Sequence, residues 1–255
     1  MRERPVLEAV LFDAGGTLVR LDFEWMSAWL TGAGASVSAA QLRRAEVEGR
    51  RRYDASFGPP AQGDGGPQPL GRRGDMRAYV GGMLAAAGVT SDTASRAIEA
   101  FAERQRGPGL WTRPVEGARE MLDGIVAAGV RRAVVSNSDG RAEQHLRDCG
   151  VLEGLEFVVN SQIVGVEKPD PRILEIALER LGVAAERAIY VGDIRSVDEV
   201  VARAAGTHFV LIDPFGDYGD GGPAIAAIRD LPAFLSTRFT LPDSATSGLT
   251  RNLGA

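Results

Sequence analysis

The chain has 255 residues, 44% of them hydrophobic and 25% charged, with a formal net charge of −5, and is long enough for one large domain or a core with a smaller companion. The acidic balance argues against a broad nucleic-acid or membrane surface, and no apolar run is long enough to cross a bilayer. A single cysteine, Cys149, rules out an internal disulfide and fits a cytoplasmic setting, while His145 and His208 stand too far apart for metal-ligand spacing.

Val6 to Phe12 is an apolar run that delivers Asp13 into Ala14-Gly15-Gly16-Thr17. A short run of this kind ending in a carboxylate and two glycines predicts a strand feeding a tight loop, whose bare N–H groups can approach an anion. Asp13 then sits at the carboxyl end of a strand, where open α/β sheets hold their ligands. Helical patterns follow over 38–57, 76–87 and 91–105, the first opened by a capping box at Ser38-Ala39-Ala40-Gln41. Residues 59–74, rich in Gly and Pro, read as a loop among them. Arg50, Arg51 and Arg52 are expected on a solvated helix face, and Trp25, Trp29, Tyr53 and Tyr79 in the packing of the helices.

From Val115 onward strands and helices alternate. Arg132–Val135, Phe157–Val159, Ala188–Val191 and His208–Ile212 read as strands buried on both faces. Asp170-Pro171 marks the start of a helix with Ile173, Leu174, Ala177, Leu178 and Leu181 on one face and Gly182 as its stop. Ser196-Val197-Asp198-Glu199 reads as a capping box for a helix ending at Gly206. Such alternation implies a parallel sheet between helical layers, a Rossmann-like three-layer α/β/α core. The partners of the first strand come after residue 130, so residues 1–20 and 108–235 are assigned to the core. Residues 21–107 are an inserted all-helical domain with a Gly/Pro-rich loop near 58–75. Residues 236–255, polar and aperiodic, read as a flexible C-terminal tail.

Four segments carry chemistry in order: Asp13-Ala14-Gly15-Gly16-Thr17, Val135-Ser136-Asn137, Glu167-Lys168-Pro169, and Gly192-Asp193 with Asp198. Lys168 is the one lysine among 29 basic residues. In this order and spacing the segments resemble the motifs of the haloacid dehalogenase-like (HAD) superfamily over nearly all of residues 6–213, and the insertion resembles that family's helical C1-type cap. The resemblance implies that Asp13 is a nucleophile accepting a phosphoryl group as an aspartyl phosphate. It implies that Ser136 and the Asn137 N–H, with Gly16 and Thr17, grip phosphoryl oxygens, and that Lys168 neutralises charge on the phosphate and on Asp13. It further implies Mg²⁺ held by Asp13, Asp193 and the Gly15 carbonyl, with Asp198 acting behind them or through water. Carboxylates converging this way need a cation, and oxygen-only ligands suit Mg²⁺. Closure of the cap would exclude water and set the choice of a small phosphorylated substrate.

One position departs from the pattern. HAD phosphatases carry a second aspartate two residues after the nucleophile, which protonates the leaving group and later activates water; here it is Gly15. Such help is worth about 10²–10⁴-fold. Asp22 and Glu24 are the nearest carboxylates in sequence that could stand in. The cap lysine of phosphonatases is missing, since 21–107 contains no lysine. Two readings remain, with haloacid dehalogenation disfavoured beside them: a phosphohydrolase whose leaving group needs little protonation or borrows an acid from the cap or substrate, and a catalytically weak or inactive protein that binds a phosphorylated ligand or a partner. A pocket kept for binding alone needs no nucleophile, lysine and carboxylates together, and Gly192-Asp193 with Asp198 does not resemble the last dehalogenase motif. The first reading is therefore favoured.

Overall fold

A computed structural model describes residues 4–56, 75–218 and 221–242; the expected Gly/Pro-rich loop and the end of the tail lie outside these. The chain forms two compact units, Arg20–Arg113 and the residues on either side of that segment. Among the described residues no helix is long and apolar enough to cross a membrane.

Strand β1 (Ala9–Phe12) is buried along its whole length, because its four consecutive apolar residues leave no face for water. Strand β2 (Val19–Leu21) leads into four helices, α1 (Phe23–Gly32), α2 (Ala39–Ser56), α3 (Met76–Ala86) and α4 (Ser91–Arg106), and then into β3 (Trp111–Pro114), which pairs with β2. The last three helices follow the expected patterns to within about a residue at each end. The expected capping box forms: Ser38 N–H donates to Gln41 Oε1 at 2.9 Å and Gln41 N–H to Ser38 Oγ at 3.2 Å. Helix α1, which no motif announced, is opened by Asp22, whose Oδ1 accepts from the Trp25 N–H. The apolar faces of the helices share one core, in which Trp25 and Trp29 pack on Phe101 and Tyr53 on Tyr79.

The arginine run does not form a single solvated face. Arg50 is buried, with its guanidinium 3.3 Å from Glu46 one turn back, and the Tyr79 hydroxyl donates to the other Glu46 oxygen at 2.6 Å. Successive helical residues point about 100° apart, so three in a row cannot all face water.

The other unit continues with α5 (Ala118–Ala127), β4 (Arg131–Ser136), α6 (Ala142–Asp148), β5 (Val158–Asn160), α7 (Ser161–Val164), α8 (Arg172–Leu181), β6 (Ala188–Gly192), α9 (Val200–Ala205), β7 (His208–Ile212), β8 (Ala224–Ile225) and α10 (Leu231–Arg238). Its six strands are parallel, in the order β5-β4-β1-β6-β7-β8. The chain builds outward from β1 to β5, then crosses back and builds outward the other way from β6. At that reversal the connections after β1 and β6 diverge and leave a crevice at the carboxyl edge. The register sets Phe12 beside both Val134 and Val191, so Asp13, Ser136 and Asp193 all leave the sheet at this edge. The Rossmann-like core with a helical insertion is as the sequence implies.

Two expectations need correction. Ser196 does not open an α-helix: Arg195–Glu199 is a π-helical turn and α9 begins at Val200. The Asp198 carboxylate is drawn back onto the amides of Asp193 and Ile194, which holds this turn wide. The aperiodic reading does not hold from residue 236. Helix α10 runs to Arg238, and Leu231, Leu235 and Phe239 are buried at one-turn intervals. Thr240 N–H then donates to the Pro5 carbonyl, and the Leu7 N–H donates to Thr240 O. Polar neighbours mask this three-residue stripe in the sequence.

Candidate active site

Asp13 follows β1 directly, and its N–H donates to Val191 O of β6 at 2.8 Å. Behind it the chain turns tightly. Gly16 adopts a φ of 81°, and a Cβ there would collide with the Asp193 carboxylate. A Cβ on Gly192 would likewise strike the Asp198 side chain. Two glycines therefore permit the close approach that brings three carboxylates together. One oxygen from each of Asp13, Asp193 and Asp198 lies within 4.8 Å of the others. All three residues are buried, Asp13 at 8% exposure and Asp198 at 1%.

Lys168 enters this cluster from the loop between α7 and α8. Its Nζ lies 2.5 Å from Asp13 Oδ1 and 2.8 Å from Asp198 Oδ1, and donates to the Tyr190 Oη at 2.9 Å. The Tyr190 hydroxyl in turn donates to the Val135 carbonyl at 3.0 Å. The lysine's main chain is held as well: its N–H donates to Asn137 Oδ1 at 2.7 Å, and Asn137 Nδ2 donates to its carbonyl at 2.8 Å.

Burial pushes the Asp13 carboxyl up to about 6; Lys168 opposes that rise and Asp198 adds to it. For Lys168, burial works against the charge, but Asp13 and Asp198 outweigh it and hold the ammonium well above the usual lysine range. Burial also raises the Tyr190 phenol well above its ordinary value. It stays neutral. Three carboxyl groups converge on one ammonium here, and carboxylates this close repel one another unless cations lie among them.

The carboxylates are not equivalent toward such a cation. Asp198 Oδ1 faces Lys168, and its Oδ2 accepts from the N–H groups of Asp193 and Ile194 at 3.0 Å each. Both Asp198 oxygens are thus engaged, and Asp198 orients its neighbours. A small set of hard oxygen donors completed by water suits Mg²⁺.

Ser136 is the last residue of β4, buried at the same edge. Gly15 lies within the turn, bridged to Val19. The main-chain N–H groups of Gly16 and Thr17 are directed within the turn, that of Gly16 to Val19 O at 2.7 Å and that of Thr17 to Ala14 O at 3.4 Å. The Thr17 hydroxyl is fully buried and makes no hydrogen bond among the described residues. These two residues build the turn. Asp22 and Glu24 are committed elsewhere too. Asp22 caps α1 and pairs with Arg104 and Arg113 at 3.2 Å each. Arg20 binds Glu24 at 3.0 Å, and this hydrogen bond holds the Glu24 carboxyl below its usual range, so it has no proton to give at neutral pH.

No motif marks Tyr190 or the Asn137 amide. A tyrosine in a strand buried on both faces does need a partner for its hydroxyl, and that is the signal Tyr190 carries. Nothing local ties Asn137 to a lysine 31 residues away.

The profile of the haloacid dehalogenase-like hydrolase family matches residues 7–206. The chain belongs to this family. Haloacid dehalogenase-like hydrolase domain-containing protein 3 of Xenopus laevis is 42% identical over 100 residues, 39% of this HAD-like hydrolase and 41% of that protein. The match thus spans about two fifths of that curated relative's length. The phosphoglycolate phosphatase of Rhodospirillum rubrum is 31% identical over 161 residues, 62% of this chain and 65% of its own. Among solved structures, an HAD phosphatase from Thermococcus onnurineus superposes with a TM-score of 0.55 at 20% identity, covering 92% of this chain and 100% of that one. An L-2-haloacid dehalogenase from Xanthobacter autotrophicus does so at 0.53 and 18%, covering 90% and 98%. At such identities the likeness shows a common fold, which serves both chemistries.

Proposed function

We propose that this HAD-like hydrolase is a Mg²⁺-dependent phosphohydrolase acting on a small phosphorylated metabolite through an aspartyl phosphate on Asp13. One observation carries the reading: Asp13, Asp193 and Asp198 converge within 4.8 Å of one another, buried at the β1–β6 crevice beside Lys168, as an oxygen donor set able to hold a metal ion. Displacing a halide from carbon does not call for a bound cation, whereas three converging carboxylates suit one. The relatives named as phosphoglycolate phosphatases support phosphoryl chemistry.

Asp13, Asp193 and the Gly15 carbonyl are the groups that would hold the ion, with Asp198 keeping the Asp193 main chain in place. Mg²⁺ there supplies charge neutralisation that lets an anionic phosphoryl group approach an anionic nucleophile. An Asp13 oxygen attacks phosphorus, and the bond to the leaving group breaks as the bond to Asp13 forms. Lys168 offsets charge on Asp13 and on the incoming group, while Ser136 and the Asn137 N–H receive phosphoryl oxygens. Water then attacks phosphorus, releasing phosphate and restoring the Asp13 carboxylate. Gly15 offers no proton, so the reading favours substrates whose leaving groups depart with little protonation. The helical unit is proposed to set substrate choice.

The test is phosphate release from an aryl phosphate and from a panel of phosphorylated metabolites, each with Mg²⁺ and with a chelator. Metal-dependent release, with acid-stable phosphate on the quenched protein at Asp13, is expected. Metal-independent halide release from a 2-haloacid would establish dehalogenation instead, and silence across the panel would favour a binding protein.

A further inference from the structure

We propose that Tyr190 is a positioning residue that fixes the Lys168 ammonium between the nucleophile and Asp198. An ammonium has three protons, and in this cluster each has its own acceptor: Asp13 Oδ1 at 2.5 Å, Asp198 Oδ1 at 2.8 Å and Tyr190 Oη at 2.9 Å. Two acceptors are carboxylates that a phosphoryl group or a cation will pull on. The third is neutral, and its own proton is committed to the Val135 carbonyl at 3.0 Å. That carbonyl belongs to β4 and Tyr190 to β6, on either side of β1, so the hydroxyl is braced across three strands of the sheet. Tyr190 is fully buried, and its ring cannot move without opening the core.

The consequence is directional. With two acceptors, the ammonium can slide toward whichever carboxylate is more negative. With three, it is held in one place while the charge on Asp13 changes. A hydrogen bond to a charged group is among the stronger ones, and the side chain gripped here is flexible. Asn137 fixes the lysine at its main chain, and Tyr190 fixes it at its tip.

The catalytic half of this proposal rests on the phosphohydrolase reading; the structural half does not, and the test separates them. Lys168 is the chain's one lysine, so a protein prepared without a lysine-bearing tag shows a single side-chain ammonium in ¹⁵N-detected NMR. In the wild type that signal should be sharp, with slow proton exchange, and should show cross-relaxation to the Tyr190 ring protons. In Tyr190→Phe, which keeps the ring and therefore the packing, it should broaden or vanish at unchanged secondary structure. Aryl phosphate turnover should fall about tenfold or more in kcat with KM within about twofold, the pattern of an interaction that counts in the transition state. A sharp signal in Tyr190→Phe, or an unchanged kcat, overturns the proposal. Should Tyr190→Phe fail to fold, absence of the wild-type cross-relaxation overturns it equally. If the wild type turns over no phosphate ester, the phosphohydrolase reading fails while the NMR comparison still decides where the ammonium is held.

Discussion

Replacing Asp13, the proposed nucleophile, should make the metal-free protein more stable, not less. Burial lifts the Asp13 carboxyl from an ordinary 3.8 to about 6, and each pKa unit corresponds to about 1.4 kcal/mol. Holding Asp13 ionised at neutral pH therefore costs the fold up to about 3 kcal/mol. The sign follows from proton uptake. Between about pH 4 and 6 the folded protein keeps a proton on Asp13 that the unfolded chain has released, so stability falls as pH rises through that window. Asp13→Asn removes the penalty. The value of about 6 already includes the attraction of Lys168, which keeps Asp198 and Tyr190 as acceptors in the variant. A net stabilisation of about 1–3 kcal/mol is expected above pH 6, at about 2–4 °C in Tm for each kcal/mol in a chain of this size.

The assay is a pair of thermal melts in chelator across pH 4 to 8. The advantage of Asp13→Asn should be near zero at the acid end, grow through pH 6 and then level off. Adding Mg²⁺ should raise the wild-type Tm by mass action and the variant's by less, narrowing or reversing the gap. Turnover of an aryl phosphate should be abolished throughout. A variant that melts at or below the wild type in chelator at pH 7.5 would refute the reasoning, because burial would then not penalise the ionised Asp13 carboxylate.

Chelation should abolish aryl phosphate hydrolysis and added Mg²⁺ restore it; activity that survives chelator would remove the ion from the scheme. Gly15 is not among the glycines with positive φ, so Gly15→Asp introduces its side chain without backbone strain. Turnover of alkyl esters should rise about 10²-fold or more relative to aryl esters, and an unchanged ratio would mean that another acid already serves. Gly16→Ala meets both a φ of 81° and the Asp193 carboxylate. It should cost about 1 kcal/mol or more from the backbone alone and lose most metal-dependent activity. A melt and a Mg²⁺ titration like the wild type's would show that the close approach is not needed.

The division between what the sequence made legible and what it hid follows the physics of parallel sheets. Every strand in such a sheet delivers its carboxyl end to the same edge, so a residue that ends a strand is placed by local pattern alone. Asp13, Ser136 and Asp193 were legible for that reason. The strand order then brought Asp13 and Asp193 to either side of the β1–β6 crevice. What depends on which atom faces which was not legible. Gly16 and Thr17 carry a loop signature that fits anion binding, yet their amides close the turn. Arg50 sits in a charged run, yet only its helical phase decides that it meets Glu46 rather than water.

Asp198 shows the same limit most clearly, because its spacing from Asp193 suggests a shared ligand role that its hydrogen bonds argue against. Three donors converge on its two oxygens: Lys168 and the amides of Asp193 and Ile194. A carboxylate so enclosed would have to give up a buried bond to bind a cation directly, at roughly 1–3 kcal/mol for each donor left unsatisfied. It does more by staying where it is, tying the lysine of one loop to the main chain that presents Asp193. Asp198 thus holds the cluster together while Asp13 and Asp193 are the two proposed to face the reaction, a division set by the return of the chain onto itself at residues 193–198.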